Sequence, residues 1–247
     1  MGLLTGKGQA VKEAVQKEKV DLKEAYIRLK KEGESVLVRL LGTEDYVSFK
    51  SHGDFSKKIY GTPCLVPNGE VCPFCVAKAK GGKEWEALYA KERVVFAMAV
   101  VETGELKLLD LSTAQARKLI ADIEEYADEI TAGEIAFNLV RTGADMSTAY
   151  QLKPLTAKKF TAIADKFNVF KGVAVEDSFF EDRVVAKSQP YMVKLLIDAG
   201  FNAGKYFSVE LVAQAMEQGQ DSDTATHEYS DTDCSVPTED TDDDDVI

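Results

Sequence analysis

Three cysteines and one histidine fall within 24 residues of this chain: His52, Cys64, Cys72 and Cys75. Cys72-Pro73-Phe74-Cys75 is a C-x2-C knuckle. Two thiolates at that spacing can grip one edge of a tetrahedral ion, while the tight turn aims backbone N–H groups at the sulfurs. Cys64 and His52 complete a set of three sulfurs and one nitrogen. A closed set of four protein ligands leaves no position for a substrate, so the expectation is one structural zinc ion. Two other readings stay open. Cys-Pro-Phe-Cys also looks like a thiol oxidoreductase pair, which needs a strand before it and a helix after it near the start of a thioredoxin-like fold. Here the pair follows Pro67-Asn68-Gly69 in mid-chain, with a third cysteine close by. The cysteines can also be unliganded. Cys234 and the second histidine, His227, lie in the C-terminal tail and are left out of the ligand set.

The same region interleaves rings and cations. Between Tyr46 and Arg93 stand Tyr46, Phe49, Lys50, Phe55, Lys57, Lys58, Tyr60, Phe74, Trp85, Tyr89, Lys91 and Arg93. Single-stranded nucleic acid calls for this mixture, because cations track phosphates and flat rings stack on unpaired bases. Phe49 reads as core, and Phe55 and Phe74 as packing around the metal. Tyr46, Lys50, Lys57, Lys58, Tyr60, Trp85, Arg93, Arg141 and Tyr150 are the candidate DNA contacts. No paired-carboxylate or nucleophile–base arrangement suggests a hydrolase, and the chain reads as a non-enzyme.

The elements that must position these residues can be read from periodicity. Residues 1–33, rich in Lys, Glu and Ala, carry Leu22, Ala25, Tyr26 and Leu29 at helical spacing and read as a helical arm. Val36–Leu41, Tyr46–Lys50, Arg93–Val101, Leu106–Leu111, Ile135–Leu139 and Ala149–Lys153 read as strands, with turns at Gly42–Asp45, Glu102–Glu105 and Gly143–Asp145. Ser112 with Gln115 forms a capping box for a helix whose apolar stripe runs through Ala116, Leu119, Ile120, Ile123, Ala127 and Ile130. Residues 51–92 show no sustained period, and so long an irregular stretch inside a domain needs a metal to hold it. After Pro154, helices are expected over 156–167, 188–199 and 208–217. The fold class expected is mainly β with added helices (α+β): an OB-fold-like five-stranded barrel over 34–155 with a zinc subdomain at 51–92. A helical region at 156–217 packs on that core, and a disordered acidic tail follows at 218–247.

The 247-residue chain has a net charge of −12, but the average misleads. From Asp221 onward there are eleven acidic residues and no Lys or Arg, and the remainder holds 30 basic against 31 acidic residues. The body is thus near neutral, and the acidity of the whole does not exclude nucleic-acid binding. The terminal Asp242, Asp243, Asp244, Asp245, Val246 and Ile247 combine a phosphate-like charge density with an apolar anchor, suited to a basic groove or to basic partner proteins. No apolar run approaches membrane-spanning length and the first residues lack a secretory signal, so a soluble, cytoplasmic protein is expected.

Together these residues resemble the single-stranded DNA-binding proteins of tailed phages, the T-even helix-destabilising kind with a zinc-bearing OB-fold. The resemblance rests on His52…Cys64…Cys72-Pro73-Phe74-Cys75 between strands, on Ile135–Gly143 and Thr148–Leu152, and on the acidic C-terminus. It covers about residues 30–155 and the tail. It implies a factor that coats unwound DNA in replication, recombination and repair without catalysis. A zinc subdomain would wall one side of the DNA cleft, and the tail would recruit polymerase, helicase or recombination partners. The family's basic N-terminal arm drives self-association on DNA. Here Lys7, Lys12, Lys17, Lys19 and Lys23 alternate with Glu13, Glu18, Asp21 and Glu24. The alternative from the residues alone is a zinc-stabilised protein-interaction adaptor.

Overall fold

The strongest apolar run of the chain forms its longest described strand. In the computed structural model, which describes residues 21–22, 24–144 and 147–217, β4 spans Lys91–Val100. Its side chains alternate between two packed faces, as strand geometry requires. Val94, Phe96 and Met98 enter the main core, while Val95 and Ala97 enter a smaller cluster on the other face. One edge of β4 pairs antiparallel with β5 (Glu105–Ser112) along its whole length. The other edge is shared. β2 (Tyr46–Asp54) pairs with its first half, from Ser51↔Lys91 to Tyr46↔Phe96, and β1 (Ser35–Arg39) pairs with its end at Val38↔Val100 and Arg39↔Ala99. β1 and β2 are thus two parts of one interrupted run along β4.

β6 (Phe137–Thr142) adds to β1, and β7 (Ala149–Pro154) adds to β6. β3 (Ile59–Pro63) lies at the far edge on β2. The order β3-β2-β4-β1-β6-β7, with β5 on the free side of β4, makes one strongly curled antiparallel sheet in a mixed α+β protein. Its concave side holds the main core: Val38, Leu109, Leu111, Phe137 and Leu139 against Ala116, Leu119 and Ile123 of α2. No helix among the described residues is long and apolar enough to cross a membrane.

Residues 51–92 are more regular than their sequence suggests. They contain the end of β2, all of β3, the helix α1 (Pro73–Lys80) and a 3-10 turn at Lys83–Leu88. β3 is hidden by its own Gly61 and Pro63, which an edge strand tolerates. α2 (Thr113–Glu125) begins as expected: the Gln115 N–H donates to Ser112 Oγ, and the Ser112 N–H donates back to Gln115 Oε1 at 3.0 Å. Its predicted stripe breaks at Tyr126, and α3 (Ala127–Ala132) carries Ile130 separately before Gly133 turns left-handed at φ 68°.

The helical arm needs correction where it is described. The described residues between 21 and 33 form no helix; Tyr26 makes a parallel bridge to Leu108, and the Ile27 N–H donates to the Leu108 carbonyl at 2.7 Å. After a single turn at Asp21–Ala25 the backbone pairs with Leu108 of β5, and Ala25 and Leu29 are buried. Residues 1–20, the turn residue Asp145 and the acidic tail, with Cys234 and His227, lie outside the described residues.

Residues 156–217 divide among three surfaces. α4 (Ala157–Thr161) and α5 (Ala164–Asn168) bring Phe160 and Phe167 to Leu37, Val101 and Ala136. α6 (Asp177–Glu181), with no helical signature in the sequence, lays Phe180 on Val95, Ala97 and Leu108. α7 (Gln189–Asp198) and α8 (Val209–Glu217) pack not on the main core but on the cysteine-bearing segment, where Met192, Val193, Leu196 and Ala215 join Ile59, Phe74, Ala77, Trp85 and Leu88.

Ser112→Ala removes a cap whose loss costs about 1 kcal/mol. Urea denaturation should show that drop with an unchanged slope.

Candidate metal centre

Each of the four candidate ligands is placed by a different local device. His52 is on β2 opposite Thr62 of β3. Cys64 follows β3 directly, its N–H donating to the Lys50 carbonyl at 2.7 Å. Cys72 is the residue before the first turn of α1 and Cys75 lies within that turn, Pro73 starting the helix where its missing N–H costs nothing. The hairpin thus supplies two ligands and the helix start two more.

The ligand atoms all lie within 4.8 Å of one another. Cys64 Sγ and Cys75 Sγ are 3.7 Å apart, and His52 Nε2 is 3.4 Å from Cys72 Sγ and 3.5 Å from Cys75 Sγ. A tetrahedral ion with Zn–S near 2.3 Å and Zn–N near 2.0–2.1 Å demands about 3.8 Å between sulfurs and about 3.5 Å between sulfur and nitrogen. The cluster therefore fits a tetrahedral metal ion and is compatible with a structural zinc. His52 Nδ1 lies 2.6 Å from the Leu88 carbonyl. A carbonyl only accepts, so Nδ1 carries the proton and Nε2 offers its lone pair to the cluster. Leu88 has no signature in the sequence, because it acts through its backbone.

The thiols also call for a cation. Burial opposes ionisation of Cys72, but the backbone N–H groups of Leu65 and Cys75, with a proton donor at His52 Nε2 where no ion takes its lone pair, outweigh it and hold the thiol down at about 6. Burial and the Cys72 charge push Cys75 up to about 12, and burial pushes Cys64 up as well. Burial and the Cys72 charge thus oppose ionisation of the other two thiols, and a divalent ion would offset both.

A hydrophobic shell closes around the ligands. Phe74 is fully buried with its ring 5.6 Å from His52, as expected of it. Phe55 is not part of this shell: it is 51% exposed, edge-on to Tyr60 at 6.1 Å. Trp85, a candidate DNA contact, is buried at 3% and packs edge-on against Phe201 at 4.9 Å, with Lys57 Nζ 4.2 Å from its ring centroid. A Cβ on Gly81 would lie 2.4 Å from Trp85 Cδ1, so glycine is what lets the indole close over the end of α1.

The other candidate contacts scatter. Arg141 is buried and clamps the N-terminal segment, donating to the Leu29 and Lys30 carbonyls at 2.8 Å each and to Thr148 Oγ1 at 3.0 Å. Tyr150, its partner in register, is buried in the main core, and Tyr46 packs there too, 5.2 Å from Phe96. Arg93 is paired with Asp110 at 2.8 Å. Trp85, Arg141 and Tyr150 are therefore core residues with no face for a nucleic acid, since inward strand positions look alike in sequence whether ring or cation fills them. Lys50 is exposed on β2, and Lys57 is half-buried beside Glu84 at 3.1 Å. Lys58 and Tyr60 are brought together, lining an open cleft of about 100 Å³ with Tyr26, Arg183, Lys187 and Tyr191. Tyr26 reads in the sequence as part of the helical arm, and Arg183, Lys187 and Tyr191 are not singled out there, since nothing in their spacing marks them.

His52→Ala and Cys72→Ser should each lose the metal and loosen the packing of α7 and α8, because the site's binding energy is folding energy, on the order of 10 kcal/mol. Metal content by elemental mass spectrometry should be one ion per wild-type chain, released on acidification as thiolates and imidazole take up protons. Gly81→Ala should keep the ion but lose about 1–3 kcal/mol through overpacking against Trp85, read as a lower Tm.

No family model and no curated protein matches this chain, and the reading of the centre rests on its own geometry.

Proposed function

We propose that this chain is a sequence-nonspecific single-stranded DNA-binding protein, similar to the T-even helix-destabilising proteins, built on an OB-fold with one structural zinc. The observation that carries the reading is the order of its elements. Taken as one interrupted strand, β1 and β2 are followed by β4, β5, α2 with α3, β6 and β7. With β3 set aside as part of the insertion, that order is consistent with an OB-fold's five strands and a helix between the third and fourth. The metal-bearing segment is inserted in the first loop, and OB-folds use that loop and the face of strands two and three for oligonucleotides. The zinc holds the insertion, and the protein coats and protects single strands in replication, recombination and repair, without catalysis, in the cytoplasm of the cell (the host's, if phage-encoded). Lys50, Lys57, Lys58 and Tyr60 remain the contacts to bet on, as exposed or half-buried residues. The tail ending Asp242–Ile247 recruits polymerase, helicase or primase and competes with DNA for the cations.

A second reading, the zinc-stabilised adaptor, draws on Val66 and Val71, exposed at 54% and 64% beside the knuckle. A thiol oxidoreductase has in its favour that Cys72 caps α1 and is held low; the convergence of His52 and Cys64 on the pair speaks for a metal.

Anisotropy of a labelled oligo-dT and of a duplex of equal length tests this. Single-strand preference that falls steeply with salt is expected, since each neutralised phosphate releases counterions. A flat salt dependence, or no preference for the single strand, would shift the reading to the adaptor. Deleting residues 218–247 should tighten binding most at low salt.

A further inference from the structure

The outer face of β4 and β5, which an OB-fold offers to a nucleic acid, is largely closed here by the chain itself. Phe180 is buried against Val95, Ala97 and Leu108, with Phe179, Val175 and Val184 packed around it. What stays open is the cleft at the end of that face, between Lys58–Pro63 and the stretch from Arg183 to Leu195. We propose that this cleft holds a nucleotide of bound single-stranded DNA, its base among Tyr26, Tyr60 and Tyr191 and its phosphates at Lys58, Arg183 and Lys187. The inference rests on the single-strand reading above and adds the site.

The lining has the right chemistry. It carries three cations, three tyrosines and no acidic residue, in a chain whose acids outnumber its bases by 12. Its volume of about 100 Å³ is several times the roughly 10–15 Å³ that one water needs. Rings beside cations in a cleft of this kind favour a stacked base with a flanking phosphate over an acidic peptide, which has no π face. Several groups are already set. The Arg183 guanidinium lies over the Phe179 ring, 3.8 Å from its centroid, and the Tyr26 hydroxyl donates to the Arg183 carbonyl at 3.1 Å. Lys187 Nζ is 5.4 Å from the Tyr191 ring centroid. Phe55, exposed and edge-on to Tyr60, continues the ring surface outward.

Lys58 supplies an independent sign. It is the one non-glycine residue with positive φ among the described residues, at 56°. Glycine would hold this left-handed turn without strain, whereas a lysine there carries a charge to the cleft at a conformational cost. Stability and binding should therefore move in opposite directions when it is replaced.

The test is the affinity of labelled oligo-dT for the full zinc-loaded chain and four variants, with Tm and zinc content measured on each. Lys58→Gly should bind about tenfold more weakly or worse while melting no lower than wild type. Tyr191→Leu should lose about tenfold or more, the scale of one base–ring stack, and Tyr191→Phe should retain binding. Lys118→Ala, exposed on α2, should bind as wild type does. Wild-type binding with Lys58→Gly and Tyr191→Leu unchanged would overturn the cleft while leaving the single-strand reading in place. Equal losses in Tyr191→Phe and Tyr191→Leu would overturn the stacking role. Absence of wild-type binding would overturn both readings.

Discussion

Four ligand atoms within 4.8 Å of one another, three of them sulfurs, form the constraint on which half of this structure depends. Three thiolates cannot share that space without a cation, and three neutral thiols would hold it only weakly. The hairpin β2–β3 and the start of α1 meet through the buried side chains of Ile59, Leu65, Phe74 and Ala77, and the four ligand atoms converge at the same place. Around it gathers the second hydrophobic cluster, which recruits α7 and α8 from more than a hundred residues away. The ligand set thus organises the far end of the chain as well as its own loop, and with it one wall of the cleft at Tyr60 and Tyr191.

The other half is an ordinary sheet-and-helix core stapled by buried arginines. Arg141 ties the N-terminal segment to β6, and Arg39 donates to the Phe167 carbonyl at 2.8 Å with its guanidinium 4.2 Å from the Phe167 ring centroid. Both are almost completely buried, so their hydrogen bonds to carbonyls are what make them tolerable there. Among the described residues, some cations are buried in the core, as Arg39 and Arg141 are, and others line the cleft or stand on β2. Overall charge conceals this division, which is why a strongly acidic chain can still present a basic site.

Much of this was legible from residue order. The period-two runs at 46–50 and 93–100, the capping box at Ser112 and Gln115, and the C-x2-C knuckle each carry a local rule that the structure obeys, because short-range sterics and hydrogen bonding decide them. The ligand set was legible because thiols at that spacing have few other uses. The rest depended on tertiary partners. Leu22, Ala25 and Leu29 match a helix, yet the Ala25 carbonyl and the Ile27 N–H bond to Leu108 of β5, and the Leu29 carbonyl to Arg141. β3 carries Gly61 and Pro63, and only its edge position makes it a strand. Trp85, Arg141 and Tyr150 have the chemistry of DNA contacts, but residue type cannot tell an inward side chain from an outward one. Arg183, Lys187 and Tyr191 reach the cleft where α7 packs into the cysteine-bearing cluster, a contact between distant stretches of chain.

The central claim is that a metal-held insertion on a curled sheet builds a site for single-stranded DNA. Native mass spectrometry of the full chain, mixed with oligo-dT before and after removal of metal by a chelator, tests it most directly. The account predicts one zinc per folded chain, an oligo-dT complex that retains it, and loss of that complex when the metal is stripped. A folded chain that carries no metal, or a stripped chain that holds oligo-dT as well as the loaded one, would contradict it.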